Sequence, residues 1–283
     1  MTRFVMAAVL GALVLGVAAC GGDDDGGEPA VFAAEVTPAG DGKFELTAPD
    51  SIEAGLVRLE FQNGTEDGAD AQLVKVDGDH TLEEVLAIFD SDKTPEWVTA
   101  GGGSGQIAAG ATGVAELVLE EGTYYLADLG SGDGDDAPSH AEGGATAMFT
   151  VTGDGDGELP EVAASIEMAD YNFVTEGLKA GANRLLLTNT GEEIHHTLAV
   201  PINEGASIAD VTEFLTSQGQ PSGPPPVDFE GFVGTSALDA GREQIAELQL
   251  EAGRYAFLCF ISDRAGGPPH VAKGMVREVT IEE

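Results

Sequence analysis

The chain has 283 residues, with 12 Lys+Arg against 50 Asp+Glu, a formal net charge of -38, and two cysteines. A surface this acidic repels phosphate backbones and anionic head groups, which argues against nucleic acid as a partner and favours cations and basic proteins. The length suits two domains of ordinary size.

In chain order, a short basic end at Arg3 leads into an apolar run from Phe4 to Val17. That run is too short to span a bilayer comfortably and reads as a signal. It closes with Val17-Ala18-Ala19-Cys20, which resembles the lipobox of bacterial lipoproteins. The resemblance implies removal of residues 1–19, a lipid on Cys20 and a Gly/Asp-rich tether over 20–30. The expected location is the outer face of the cell membrane, or the periplasmic face where two membranes are present. With Cys20 lipidated, Cys259 has no partner for an intramolecular disulfide. An unpaired thiol in an oxidising compartment points either to a ligand or to a packed core residue.

The rest of the chain repeats itself. Ala54-Gly55-Leu-Val-Arg58-Leu-Glu-Phe-Gln-Asn63 matches Ala180-Gly181-Ala-Asn-Arg184-Leu-Leu-Leu-Thr-Asn189, and Thr81 to Phe89 matches Ser207 to Leu215. Further on, Ala115 to Glu120 and Gly122-Thr-Tyr124 match Ala246 to Glu251 and Gly253-Arg-Tyr255. These blocks predict two copies of one domain, at 31–152 and 161–283, joined over 153–160 by an acidic, glycine-rich stretch that suits a mobile linker. Within each copy, short apolar runs bounded by Gly and Asn predict strands, among them Leu56 to Phe61, Ala115 to Leu119, Arg184 to Thr188, Ala246 to Leu250 and Tyr255 to Phe260. Their spacing suggests a sandwich or barrel. One helix per copy is expected after the N-caps Thr81 and Ser207, with Glu84 and Asp210 three residues on.

The second copy carries the chemistry. Asn189 to Val200 contains His195-His196 before a strand-like run, Gly253 to Cys259 ends a strand in a cysteine, and His270-Val-Ala-Lys-Gly-Met275 follows. This order resembles the cupredoxin family over most of 161–283. The resemblance implies an all-β chain of two tandem cupredoxin-like Greek-key sandwiches, each with one short helix. It also implies one copper in the second copy, with His196, Cys259 and His270 as equatorial ligands and Met275 as a weak axial one. His195 is then expected to face solvent. Thiolate, imidazole and thioether are the soft set that both copper oxidation states tolerate. Ten residues separate Cys259 from His270, where the family usually has two to four. Gly266-Gly267-Pro268-Pro269 supplies turn chemistry for that loop to fold out and return.

The first copy has Asp128 at the cysteine position, Asp70-Ala71 around the first histidine and Ala145 in place of Met275. Only His140 survives, so this copy is expected to be structural or a partner surface. Its acidic run Asp133-Gly-Asp135-Asp136 reads as a solvated turn rather than a calcium loop. Five histidines and no His-x-His pair are too few for the extra copper sites of stacked-domain copper enzymes. The function expected is therefore non-enzymatic: a lipid-anchored type 1 copper protein that carries single electrons between membrane-associated protein partners. The alternatives are a metal-free surface scaffold or a copper delivery or buffering protein.

Overall fold

The computed structural model describes residues 28–131, 138–217 and 223–283. Cys20, the signal, all but the last residues of the tether and the turn Asp133 to Asp136 lie outside the described residues. The fold is all-β, with two helices and a short 3-10 turn among the described residues.

In the first copy the strands are Ala30–Gly40 (β1), Lys43–Thr47 (β2), Ser51–Glu53 (β3), Gly55–Asn63 (β4), Ala69–Val76 (β5), Val98–Ile107 (β6), Thr112–Leu119 (β7), Gly122–Asp128 (β8) and Thr146–Thr152 (β9). In the second they are Ala164–Ala169 (β10), Asn172–Glu176 (β11), Gly181–Asn189 (β12), Leu198–Pro201 (β13), Val233–Gly234 (β14), Glu243–Leu250 (β15), Gly253–Leu258 (β16) and Val276–Ile281 (β17). The helices are Leu82–Phe89 (α1) and Ile208–Thr216 (α2). Both begin as the sequence implies: Thr81 and Ser207 accept from the N–H of Glu84 and Asp210, whose carboxylates accept in return from the cap N–H.

One eight-stranded sheet runs through both copies, in the order β11-β10-β12-β15-β7-β4-β1-β2. A separate sheet covers each half: β14-β13-β16-β17 in the second copy and β3-β9-β8-β5-β6 in the first. Alternating side chains of facing strands fill each core, Phe32, Phe61, Leu117 and Phe149 in one, Phe173, Leu187, Leu248 and Phe257 in the other. The copies join where β7 meets β15 antiparallel, Ala115 opposite Ala246 and Glu116 opposite Ile245. Because Ala115 and Ala246 are equivalent positions of the repeat, the copies are related there by a local two-fold axis.

The glycine-rich run Gly101 to Gly105 is the second seam. Gln244 exchanges hydrogen bonds with the Gly103 backbone at 2.9 and 3.0 Å, and Ser236 Oγ accepts from Gly105 N at 2.8 Å. A Cβ on Gly105, whose φ is +65°, would sit 2.4 Å from Gly234 O of the second copy, so only glycine lets these backbones approach. The stretch after β9, expected to be a mobile linker, lies along Ala54 to Leu56. A Cβ on Gly155 would come within 2.1 Å of Ala54 O.

Candidate metal centre

Three side chains from three segments of the second copy converge in its core. Cys259 follows β16 directly, at the end of a strand whose inward residues Tyr255 and Phe257 are buried. His195 precedes β13 and is held by a two-residue bridge: its N–H donates to Leu238 O at 3.1 Å and its carbonyl accepts from Leu238 N at 2.8 Å. His270 opens the 3-10 turn His270–Lys273. The ten-residue loop before it folds out as a hairpin, Ser262 bridging Pro269. It returns because His270 N donates to Ile261 O and Val271 N to Cys259 O, both at 2.8 Å.

The ring nitrogens face each other. Cys259 Sγ lies 3.5 Å from His270 Nδ1 and 3.9 Å from His195 Nδ1, and the two Nδ1 atoms are 3.0 Å apart. All three residues are fully buried. Each outer nitrogen meets a carboxylate: His195 Nε2 lies 3.0 Å from Asp170 Oδ1 and His270 Nε2 3.1 Å from Asp263 Oδ1. Asp263 is itself fixed by the Tyr171 hydroxyl, which donates at 3.0 Å, and by the Lys273 ammonium.

The chemistry of this donor set fits a metal ion. A carboxylate beside Nε2 fixes the proton there and leaves the lone pair on Nδ1. Two Nδ1 lone pairs then confront each other beside a sulfur, an arrangement that a shared cation satisfies. Burial pushes both rings below the usual imidazole range, His270 to about 4 with His195 adding to the effect, so both are neutral and ready to ligate at neutral pH. Burial raises the Cys259 thiol to about 11, and the backbone N–H groups of His196 and Ile261 act in the opposite direction. The thiol must therefore lose its proton to a metal on binding. Met275 is fully buried in the same cluster as Cys259, and its N–H donates to His270 O at 3.0 Å.

The histidine assignment is corrected by one residue. His195, expected to face solvent, is in the cluster. His196, expected to be the ligand, points to the opposite face, where its Nε2 accepts from Phe260 N at 3.0 Å and its ring lines a cavity of about 400 Å³ between the copies. Neighbouring residues of an extended segment face opposite sides, so a slip of one residue exchanges core for surface. The parity was hidden because this segment is buried on both sides. Ala199 packs into the sandwich core, while Val200 packs with Val211, Leu258 and Val271 beneath α2. Asp170, Asp263 and Tyr171, which hold the rings, were missed: they are polar residues of turns and loops with no motif to mark them.

In the first copy, strand pairing sets Gln72 opposite Ala127 as Leu198 is set opposite Leu258. Ala69 is therefore the counterpart of His195 and Asp70 that of His196. Asp128 stands for Cys259, and its Oδ2 lies 2.8 Å from His140 Nδ1.

No protein-family model matches the sequence, and no curated protein does. Among solved structures, auracyanin B is 18% identical with a TM-score of 0.27, covering 44% of this chain and 92% of its own. A dithionite-reduced auracyanin from the photosynthetic bacterium Roseiflexus castenholzii is 18% identical with a TM-score of 0.26, covering 41% and 94%. A multicopper oxidase is 15% identical with a TM-score of 0.23, covering 89% and 87%. Likenesses at this level leave the chemistry to be argued from the side chains themselves.

Proposed function

We propose that the second copy is a mononuclear copper site of type 1 character and that the protein carries single electrons between membrane-associated partners, held at the membrane by a lipid on Cys20. The observation that carries this reading is the convergence of two Nδ1 atoms and one thiol within 3.0 to 3.9 Å in a fully buried pocket. Two nitrogens and a thiolate, with Met275 buried in the same core as a candidate thioether donor, suit copper in both oxidation states, and copper held there would supply a one-electron couple. His195 and His270 are pre-oriented by Asp170 and Asp263, so the donors need little movement between states. The surrounding Phe257, Leu238 and Met275 exclude water.

The facing lone pairs disfavour a metal-free scaffold. Complete burial of all three donors favours a resident ion over a delivered one, since exchange needs an approach for a receiving ligand. The acidic surface suits basic partners. Adding Cu(II) to the soluble portion is expected to give an intense visible charge-transfer band at one equivalent that Cys259→Ser removes. A colourless protein with its thiol demonstrably free and reduced would end this reading. Cys20→Ser is expected to release the protein from membranes.

A further inference from the structure

The long loop between Cys259 and His270 is not held by the second copy alone. At its middle, Arg264 reaches the first copy with both backbone and side chain. Its carbonyl accepts from Thr94 N at 3.1 Å, and its guanidinium Nη1 donates to Pro95 O at 2.9 Å and Val98 O at 3.1 Å. The other arm, Nη2, pairs with Asp239, a second-copy carboxylate that also accepts from Ala100 N of the first copy at 3.1 Å. Arg264 N donates to Glu193 Oε2 at 2.6 Å, two residues before His195. The pair is largely shielded, with side-chain exposures of 20% for Arg264 and 12% for Asp239. A guanidinium fork spread over two carbonyls and a carboxylate fixes direction as well as distance, which an ammonium does not.

We propose that Arg264 is a positioning residue for the donor cluster, through which the first copy holds Asp263 and His270 in place. Asp263 precedes Arg264 and carries the oxygen that orients His270 Nε2, so the anchor at Arg264 sets the backbone from which that carboxylate reaches the ring. Tyr171 and Lys273 hold the carboxylate at its tip, and pinning the centre of the ten-residue loop narrows the positions its backbone can take. This gives the first copy a function that its own side chains do not: it is the cradle for the ligand loop of the second.

The inference rests on the copper reading for its metal-bound part only. The experiment uses the full soluble chain as wild type, Arg264→Ala and Arg264→Lys, with Cu(II) alone as the probe. In the metal-free proteins it follows amide exchange of residues 260–267 and the ring signals of His270. Arg264→Ala is expected to raise loop exchange by about tenfold or more, displace the His270 ring signals, shift the visible band and weaken copper binding by about tenfold, in the range for groups that orient ligands. Arg264→Lys is expected to recover part of the affinity and not the band position. Unchanged His270 signals, or an unchanged band and affinity, in Arg264→Ala would overturn the proposal. A wild type that takes no copper, with the ring signals still displaced by Arg264→Ala, would remove the copper reading and leave the positioning role standing.

Discussion

The two copies build the same backbone cradle and fill it differently. His140 N donates to Gly130 O at 2.7 Å where His270 N donates to Ile261 O at 2.8 Å; Ala141 N meets Asp128 O at 2.8 Å as Val271 N meets Cys259 O at 2.8 Å. Ala145 N bonds His140 O at 2.9 Å as Met275 N bonds His270 O at 3.0 Å. Side chains alone change the outcome. In the first copy the histidine Nδ1 lies against a carboxylate, Asp128, and carries the proton that bond requires. In the second the carboxylate is moved outside, to Asp263 at Nε2, and Nδ1 is left bare beside a thiol and a second bare Nδ1. The position of one acidic residue relative to one imidazole thus separates an Nδ1 closed by a hydrogen bond, with Nε2 left buried and unpartnered, from a donor set whose Nδ1 faces a thiol and a second imidazole.

The largest expected effect tests the open side of this contrast. His195→Ala removes one of the two facing nitrogens and should weaken copper binding by more than about a hundredfold, beyond what loss of an outer partner costs. An isothermal titration showing near-normal affinity would return the ligand to another residue. The closed side is tested by Asp128→Ala. It strands His140 Nδ1 and also removes the acceptor of Asp70 N at 2.8 Å and Gly130 N at 2.9 Å. Leaving a buried donor without its acceptor costs about 1–3 kcal/mol, and thermal unfolding should register it while the copper band stays in place. A lost band would mean that the two sites are not separable in this way.

Asp70 sharpens the comparison through pH. Burial, with the neighbouring Asp128 charge added, raises its carboxyl to about 7, and its Oδ1 is buried with no partner. His196 lines the same cavity. Between about 3.8 and 7 the unfolded chain releases this proton while the folded chain keeps it, so this group's contribution to stability falls as pH rises through that window. Asp70→Asn removes the titration. Its melting temperature relative to wild type should rise from near zero at pH 4 to about 10 °C above pH 7. A difference that does not vary with pH would show Asp70 ionising freely. Smallest is His196→Ala, which deletes the bond from Phe260 N and should change copper affinity by less than about tenfold.

Much of this was legible in the sequence. Thr81 and Ser207 announced both helices through three-residue spacing to Glu84 and Asp210, because a capping box is a local device. Cys259 and His270 were legible as neighbours because their residue types carry their chemistry, and the Gly-Pro turn did fold out and return. The register of His195-His196 was not. It depends on which face is inward, and apolar residues on both faces of Leu198 to Val200 erase the alternation that would report it. Nor was the clamp at Arg264. Two of the three groups its guanidinium meets are backbone carbonyls some 170 residues away in the chain, and carbonyls leave no mark on a sequence.

The most direct test of the account is X-ray absorption at the copper edge on the wild-type protein loaded with one equivalent. The account predicts one short sulfur bond and two imidazole nitrogens, with the imidazole scattering reduced by half in His195→Ala and intact in His196→Ala. A copper environment of nitrogen and oxygen without sulfur, or one that loses an imidazole in His196→Ala instead, would contradict it.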